Sequence, residues 1–133
     1  MDIMGEVSEI YRIHETYDAK KILQYMHVPI LYADLGDVTL GYTLYKRRMF
    51  TITVSNQLSE PEIDYVLGHE LKHVLERDTS TPYMRRIHSN TPILKKERIA
   101  NDFSLALISN KCGLIGFGKQ KQIQLLGLEE IIY

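Results

Sequence analysis

The stretch Val66-Leu67-Gly68-His69-Glu70-Leu71-Lys72-His73-Val74-Leu75 constrains this chain more than any other. Apolar residues around its polar ones ask for a helix lying half in a core. In a helix, positions four apart stand one turn above each other on the same face, so His69 and His73 can both reach a single ion. Glu70 is turned about 100° from His69. It stands beside such an ion rather than on it, where a carboxylate serves as general base for bound water. That division of labour is zinc-dependent hydrolysis. The bland alternative is a surface helix with two solvated histidines and an exposed glutamate. Helix boundaries in the right places, and a third ligand downstream, count against it.

Those boundaries can be read locally. Ser59 followed by Glu62 forms a capping box, and Pro61 suits a first turn, so a helix is expected from about Glu60 to Glu76. The run Asp78-Thr79-Ser80-Thr81 before Pro82 ends it. Residues 77–91 show no period and read as an irregular loop, a candidate wall of a cleft. From Pro92 to about Asn110, Ile99, Ala100, Phe103, Ala106 and Leu107 recur at helical steps, and Lys111-Cys112-Gly113 closes that helix.

Upstream, residues 7–25 read as one amphipathic helix that must stop before Pro29, with His14 packed in its stripe and His27 facing solvent. Residues 28–33, 38–45 and 49–54 carry the β-branched and aromatic content of strands. The last two form a hairpin over Lys46-Arg47-Arg48, a solvated turn rather than a phosphate site. One short helix is expected within residues 120–128. The expected class is α+β: a small antiparallel or mixed three-stranded sheet packed on the His-Glu-x-x-His helix and on the helix that follows it.

At 133 residues the chain reads as a single domain, with a core over about residues 5–112 and a short tail over 113–133. A net charge of −1, without long runs of one sign, argues against direct nucleic-acid binding or an anionic membrane surface. The lone Cys112 excludes an internal disulfide and reads as a small, at least half-buried residue in a reducing compartment. The first residues lack the basic start and apolar run of a signal peptide, and no apolar stretch reaches bilayer length; a cytoplasmic location is expected.

A catalytic zinc takes three protein ligands and keeps one position open. Glu76 shares the face of His73 but sits about 10 Å along the axis from His69, too far to join it on one ion. A downstream His-x-x-Gly-x-x-His extension is absent, because Glu76 and Thr79 stand where it needs Gly and His. Glu97, opening the next helix, is the best remaining donor, and Asn101 shares its face as a group that could orient a ligand. Taken alone, Glu97 reads better as an exposed first-turn carboxylate stabilised by the helix dipole; beside the histidine pair the ligand reading is favoured. Tyr83, His88 or a loop arginine could donate to a developing oxyanion, although each is individually more ordinary as a loop residue.

Gly68-His69-Glu70-Leu71-Lys72-His73 followed by Glu97-Arg98-Ile99-Ala100-Asn101-Asp102-Phe103-Ser104 resembles the ImmA/IrrE family of zinc metallopeptidases, with Ser104 where the family carries Ala. The resemblance covers roughly residues 5–110 in element order. It implies a minimal zincin-like domain in which His69, His73 and Glu97 hold Zn2+ and Glu70 is the base. It also implies an edge strand, here residues 49–54, that pairs with an extended substrate. The implied partner and substrate is a helix-turn-helix repressor of a phage or mobile element, whose cleavage relieves repression. The alternative is a zinc-containing regulatory protein that engages such a repressor without cutting it.

Overall fold

The computed structural model describes residues 2–86 and 93–132. The chain begins with two helices, α1 (Ile3–His14) and α2 (Ala19–Tyr25), where one continuous helix was expected. The break has local causes. Glu15 adopts a left-handed conformation at φ 57° and closes α1 through its N–H to Tyr11 O. Asp18 then restarts the chain as the N-cap of α2, its carboxylate accepting from Lys20 N. The apolar stripe is unbroken in sequence, but caps end helices regardless of what the stripe does.

Three strands follow: β1 (Ile30–Ala33), β2 (Thr39–Lys46) and β3 (Met49–Ser55). β2 and β3 form the expected hairpin, and its two tip residues Arg47 and Arg48 both have positive φ, 52° and 64°. Two left-handed residues make a type I′ turn, whose twist matches that of the flanking strands. The sheet has four strands, not three, in the order β1-β3-β2-β4, and is mixed, with β1 parallel to β3. β4 (Met84–Arg85) lies inside the segment expected to be irregular; it pairs Met84 with Gly41 and Arg85 with Thr39. Two residues are too few to show alternation, so the strand exists only through its partner. β3 lies between β1 and β2, so residues 49–54 are not an edge; the outer strands of the sheet are β1 and β4.

α3 (Glu60–Leu75) carries the central motif. Its capping box is complete: Glu62 N donates to Ser59 Oγ and Ser59 N to Glu62 Oε1. Every residue from Tyr65 to Val74 is buried. The helix therefore does not lie half in the core; it forms the centre, with β2, β3, α2 and α4 (Lys95–Lys111) packed around it. Lys72, which the helical wheel turns toward solvent, is buried between Glu6 and Glu76, each 2.6 Å from its Nζ. α1 packs on α4 and brings Glu6 to Lys72 of α3.

α4 approaches α3 closely at one point. A Cβ on Gly68 would run into the side chain of Ser104 and come within 3.2 Å of its Cα. Only glycine lets the two backbones meet there. Ser104 donates its hydroxyl to Tyr65 O at 2.5 Å and ties the helices together. The final helix, α5 (Lys119–Leu126), and the residues after it are not an appended tail: Ile123, Leu128 and Ile131 are buried in the same core. Cys112 is free and exposed at the end of α4, against the expectation of burial. Among the described residues, no helix is long and apolar enough to cross a membrane.

Candidate metal centre

Two consecutive turns of α3 supply His69 and His73, and the first turn of α4 supplies Glu97. The helix contact at Gly68 and Ser104 sets the distance between these elements. His69 Nε2 and His73 Nε2 lie 3.3 Å apart. Glu97 Oε2 is 2.8 Å from the latter and 3.7 Å from the former. Three donors bound tetrahedrally at about 2.0–2.1 Å would be separated by roughly 3.3 Å. The observed triangle has that size.

The other ring nitrogens fix which atoms face inward. His69 Nδ1 is 2.7 Å from Asn101 Oδ1, an acceptor that calls for a proton on Nδ1 and so leaves a lone pair on Nε2. His73 Nδ1 faces Asp78 Oδ2 at 3.5 Å, which favours the same tautomer. In that tautomer two imidazole lone pairs and a carboxylate oxygen point at one another, and among the described residues the buried Glu97 Oε2 has no partner other than the two rings. Such a cluster is repulsive unless a metal cation or an additional proton sits among its members.

His69, Glu70 and His73 are close enough to hold a metal ion together, their donor atoms lying within 4.8 Å of one another. Glu97 offers the tighter approach to the two Nε2 atoms, which makes Glu70 the outer carboxylate. Glu70 is wholly buried. Its Oε2 accepts from Thr43 Oγ1 at 3.1 Å, while its Oε1 has no partner among the described residues. Burial pushes this carboxyl above its usual range, against the opposing pull of His69, His73 and Thr43. For Glu97, burial is outweighed by hydrogen bonds and charge from the two histidines, which hold it down at about 2. His73 is raised, because Glu97, Glu70 and Asp78 outweigh its burial. The field of the site draws positive charge, and a divalent cation would answer it.

A cavity of about 190 Å3 opens over His69, walled by residues 82–86 and by Leu94, Glu97 and Asn101. Tyr83 lines it, half exposed and stacked on Tyr42 at 4.4 Å between ring centroids. Arg85 and Arg86 line it too, but the Arg86 guanidinium is held by Asp37 O and Glu130 O. His88, the other candidate oxyanion donor, lies outside the described residues. The structure thus brings His69, His73, Glu97 and Asn101 together, sets Glu70 beside them, and puts Tyr83 on the rim.

Two residues of this site have no counterpart in the sequence reading. Asp78 follows His73 by five positions and could have been flagged as an acid at the end of a ligand helix. Thr43 could not, since nothing local links a strand threonine to a glutamate 27 positions away. Compared with known proteins, the chain matches no family model, no curated protein and no solved structure.

Proposed function

We propose that this chain is a zinc-dependent metalloendopeptidase with a minimal zincin-like fold. The observation that carries the reading is the convergence of His69 Nε2, His73 Nε2 and Glu97 Oε2, all buried and mutually within 3.7 Å, with the carboxylate oxygen partnered by nothing but the two rings among the described residues. Two imidazoles and a carboxylate are a donor set that suits zinc, and three protein ligands leave the open position of a catalytic site. A bound zinc would supply Lewis acidity, activating a water and polarising a carbonyl. The remaining work belongs to the chain. Asn101 holds the His69 ring by its outer nitrogen, and Asp78 faces the outer nitrogen of His73 at 3.5 Å. Glu70 takes the proton of the attacking water and returns it to the leaving amine.

The cavity beside β4 and the start of α4 is the cleft in which an extended segment of substrate would lie. Pairing along β4, the outer strand beside the cavity, replaces the role first expected of residues 49–54. The substrate follows from the family resemblance: a helix-turn-helix repressor, whose cleavage would release the genes of a phage or mobile element.

Metal content and cleavage test the reading together. One zinc per chain is expected in the wild type and in Glu70→Gln, and little in His69→Ala or Glu97→Ala. Glu70→Gln should bind the repressor and leave it intact, while the wild type cuts it. Zinc retained by Glu97→Ala would remove Glu97 from the ligand set. Zinc and repressor binding without any cleavage by the wild type would favour the regulatory, non-cutting alternative.

A further inference from the structure

The base of a hydrolytic site has two oxygens, and only one can face the water it activates. In this chain the two are distinguished by a residue from the sheet. Thr43 sits on β2, opposite Ile52 of β3, with its side chain on the face that meets α3. Its hydroxyl donates to Glu70 Oε2 at 3.1 Å, and both residues are buried. Oε1 of the same carboxylate is buried and unpaired among the described residues, and one of the two Glu70 oxygens lies within 4.8 Å of the histidine donor atoms.

Three features hold the threonine in place. The ladder with β3 fixes its backbone. Its carbonyl accepts from Thr81 Oγ1 at 2.9 Å, which ties the strand to the segment leading into β4. Its β-branch restricts χ1, so the hydroxyl has little freedom to turn away. A hydrogen bond to an ionised acceptor in a buried setting is among the stronger ones a side chain can make.

From this we infer that Thr43 is a positioning residue for Glu70: it holds Oε2 and so leaves Oε1 as the atom that accepts the proton. The inference deepens the peptidase reading and rests on it for the role of the base. The contact itself can be tested without activity.

Thr43→Val keeps the shape and removes the hydroxyl, and Thr43→Ser restores the hydroxyl without the branch. With repressor as substrate, Thr43→Val should lower kcat about 10-fold with KM and zinc content unchanged, and Thr43→Ser should recover most of the loss. Equal rates for Thr43→Val and the wild type would overturn the proposal. So would equal impairment of the serine and valine variants, which would point to packing alone. The independent measurement is a double-mutant cycle of unfolding on the protein as purified, using Thr43→Val, Glu70→Met and the pair. Methionine keeps the length of the side chain and removes the acceptor. Coupling by about 10-fold in the unfolding equilibrium supports the link, and additive effects overturn it. If the wild type cleaves nothing, the peptidase reading fails, and the cycle alone still decides whether Thr43 holds Glu70.

Discussion

A histidine can offer one nitrogen to a metal only if the proton on the other has somewhere to go. For His69 that place is Asn101 Oδ1 at 2.7 Å, on the same face of α4 as Glu97 and one turn further along. Removing the amide leaves the ring free to rotate and to exchange tautomers, and both weaken the ligand. Asn101→Ala should therefore raise the zinc dissociation constant about 10–100-fold, read by competition with a chromogenic chelator. Asn101→Asp, which keeps an acceptor at the same reach, should lose far less. Equal losses from both would mean that Asn101 does not act through an accepted proton. The sequence made Asn101 legible because it follows Glu97 by one helical turn. Thr43 and Asp78 approach the same groups from other directions, and a helical pattern says nothing about those.

At the scale of elements, the site depends on how closely α3 and α4 approach. Gly68 precedes His69, and Ser104 stands seven positions after Glu97. Their contact sets the separation between the helix that carries the histidines and the helix that carries the carboxylate. Gly68→Ala gains up to about 1 kcal/mol of helix propensity but forces Ser104 and its backbone outward, a strain of about 1–3 kcal/mol. A lower melting temperature and weaker zinc binding are expected together, since moving α4 moves Glu97. Adding Ser104→Ala should restore part of both; a Gly68→Ala protein with unchanged zinc affinity would argue that the helix spacing does not control the site.

The far end of α4 offers a pH test. Lys111 lies 3.1 Å from Asp64 of α3 and 3.8 Å from Asp18, the N-cap of α2. Burial would lower its pKa, but the two carboxylates outweigh burial and raise it above the ordinary value of 10.5. A raised lysine pKa stabilises the fold below the unfolded value, and the contribution is lost as pH rises through the folded one. The side chain is partly exposed, so the pair is worth only about 0.2–1 kcal/mol. Lys111→Met should thus be slightly less stable than the wild type at neutral pH, and the two melting curves should converge above about pH 10.5. A gap that persists at high pH would assign the effect to packing of the lysine stem.

For the molecule as a whole, the same three donors close the site and join the two central helices. A metal that binds the folded state alone stabilises it by mass action, about 2.7 kcal/mol at one hundred times its dissociation constant. Chelation should accordingly lower the melting temperature of the wild type by several degrees, and added zinc should restore it. His69→Ala should not respond to either treatment. A wild type whose melting is indifferent to chelator would show that the donors do not hold zinc under those conditions.

What the sequence determined by itself was local. The capping box at Ser59 and Glu62, the spacing of His69 and His73, the hairpin over Arg47 and Arg48, and Glu97 in the first turn of its helix all depend on residues within a few positions of one another. Backbone geometry enforces such relations wherever the segment ends up. The tertiary structure alone decided the rest: the burial of α3 on every side, Lys72 enclosed by Glu6 and Glu76, the two-residue β4 laid against Gly41, and Thr43 holding the oxygen of Glu70. Each of these joins at least one group to a partner many positions away, so its energy is realised only once the chain has closed the loop between them.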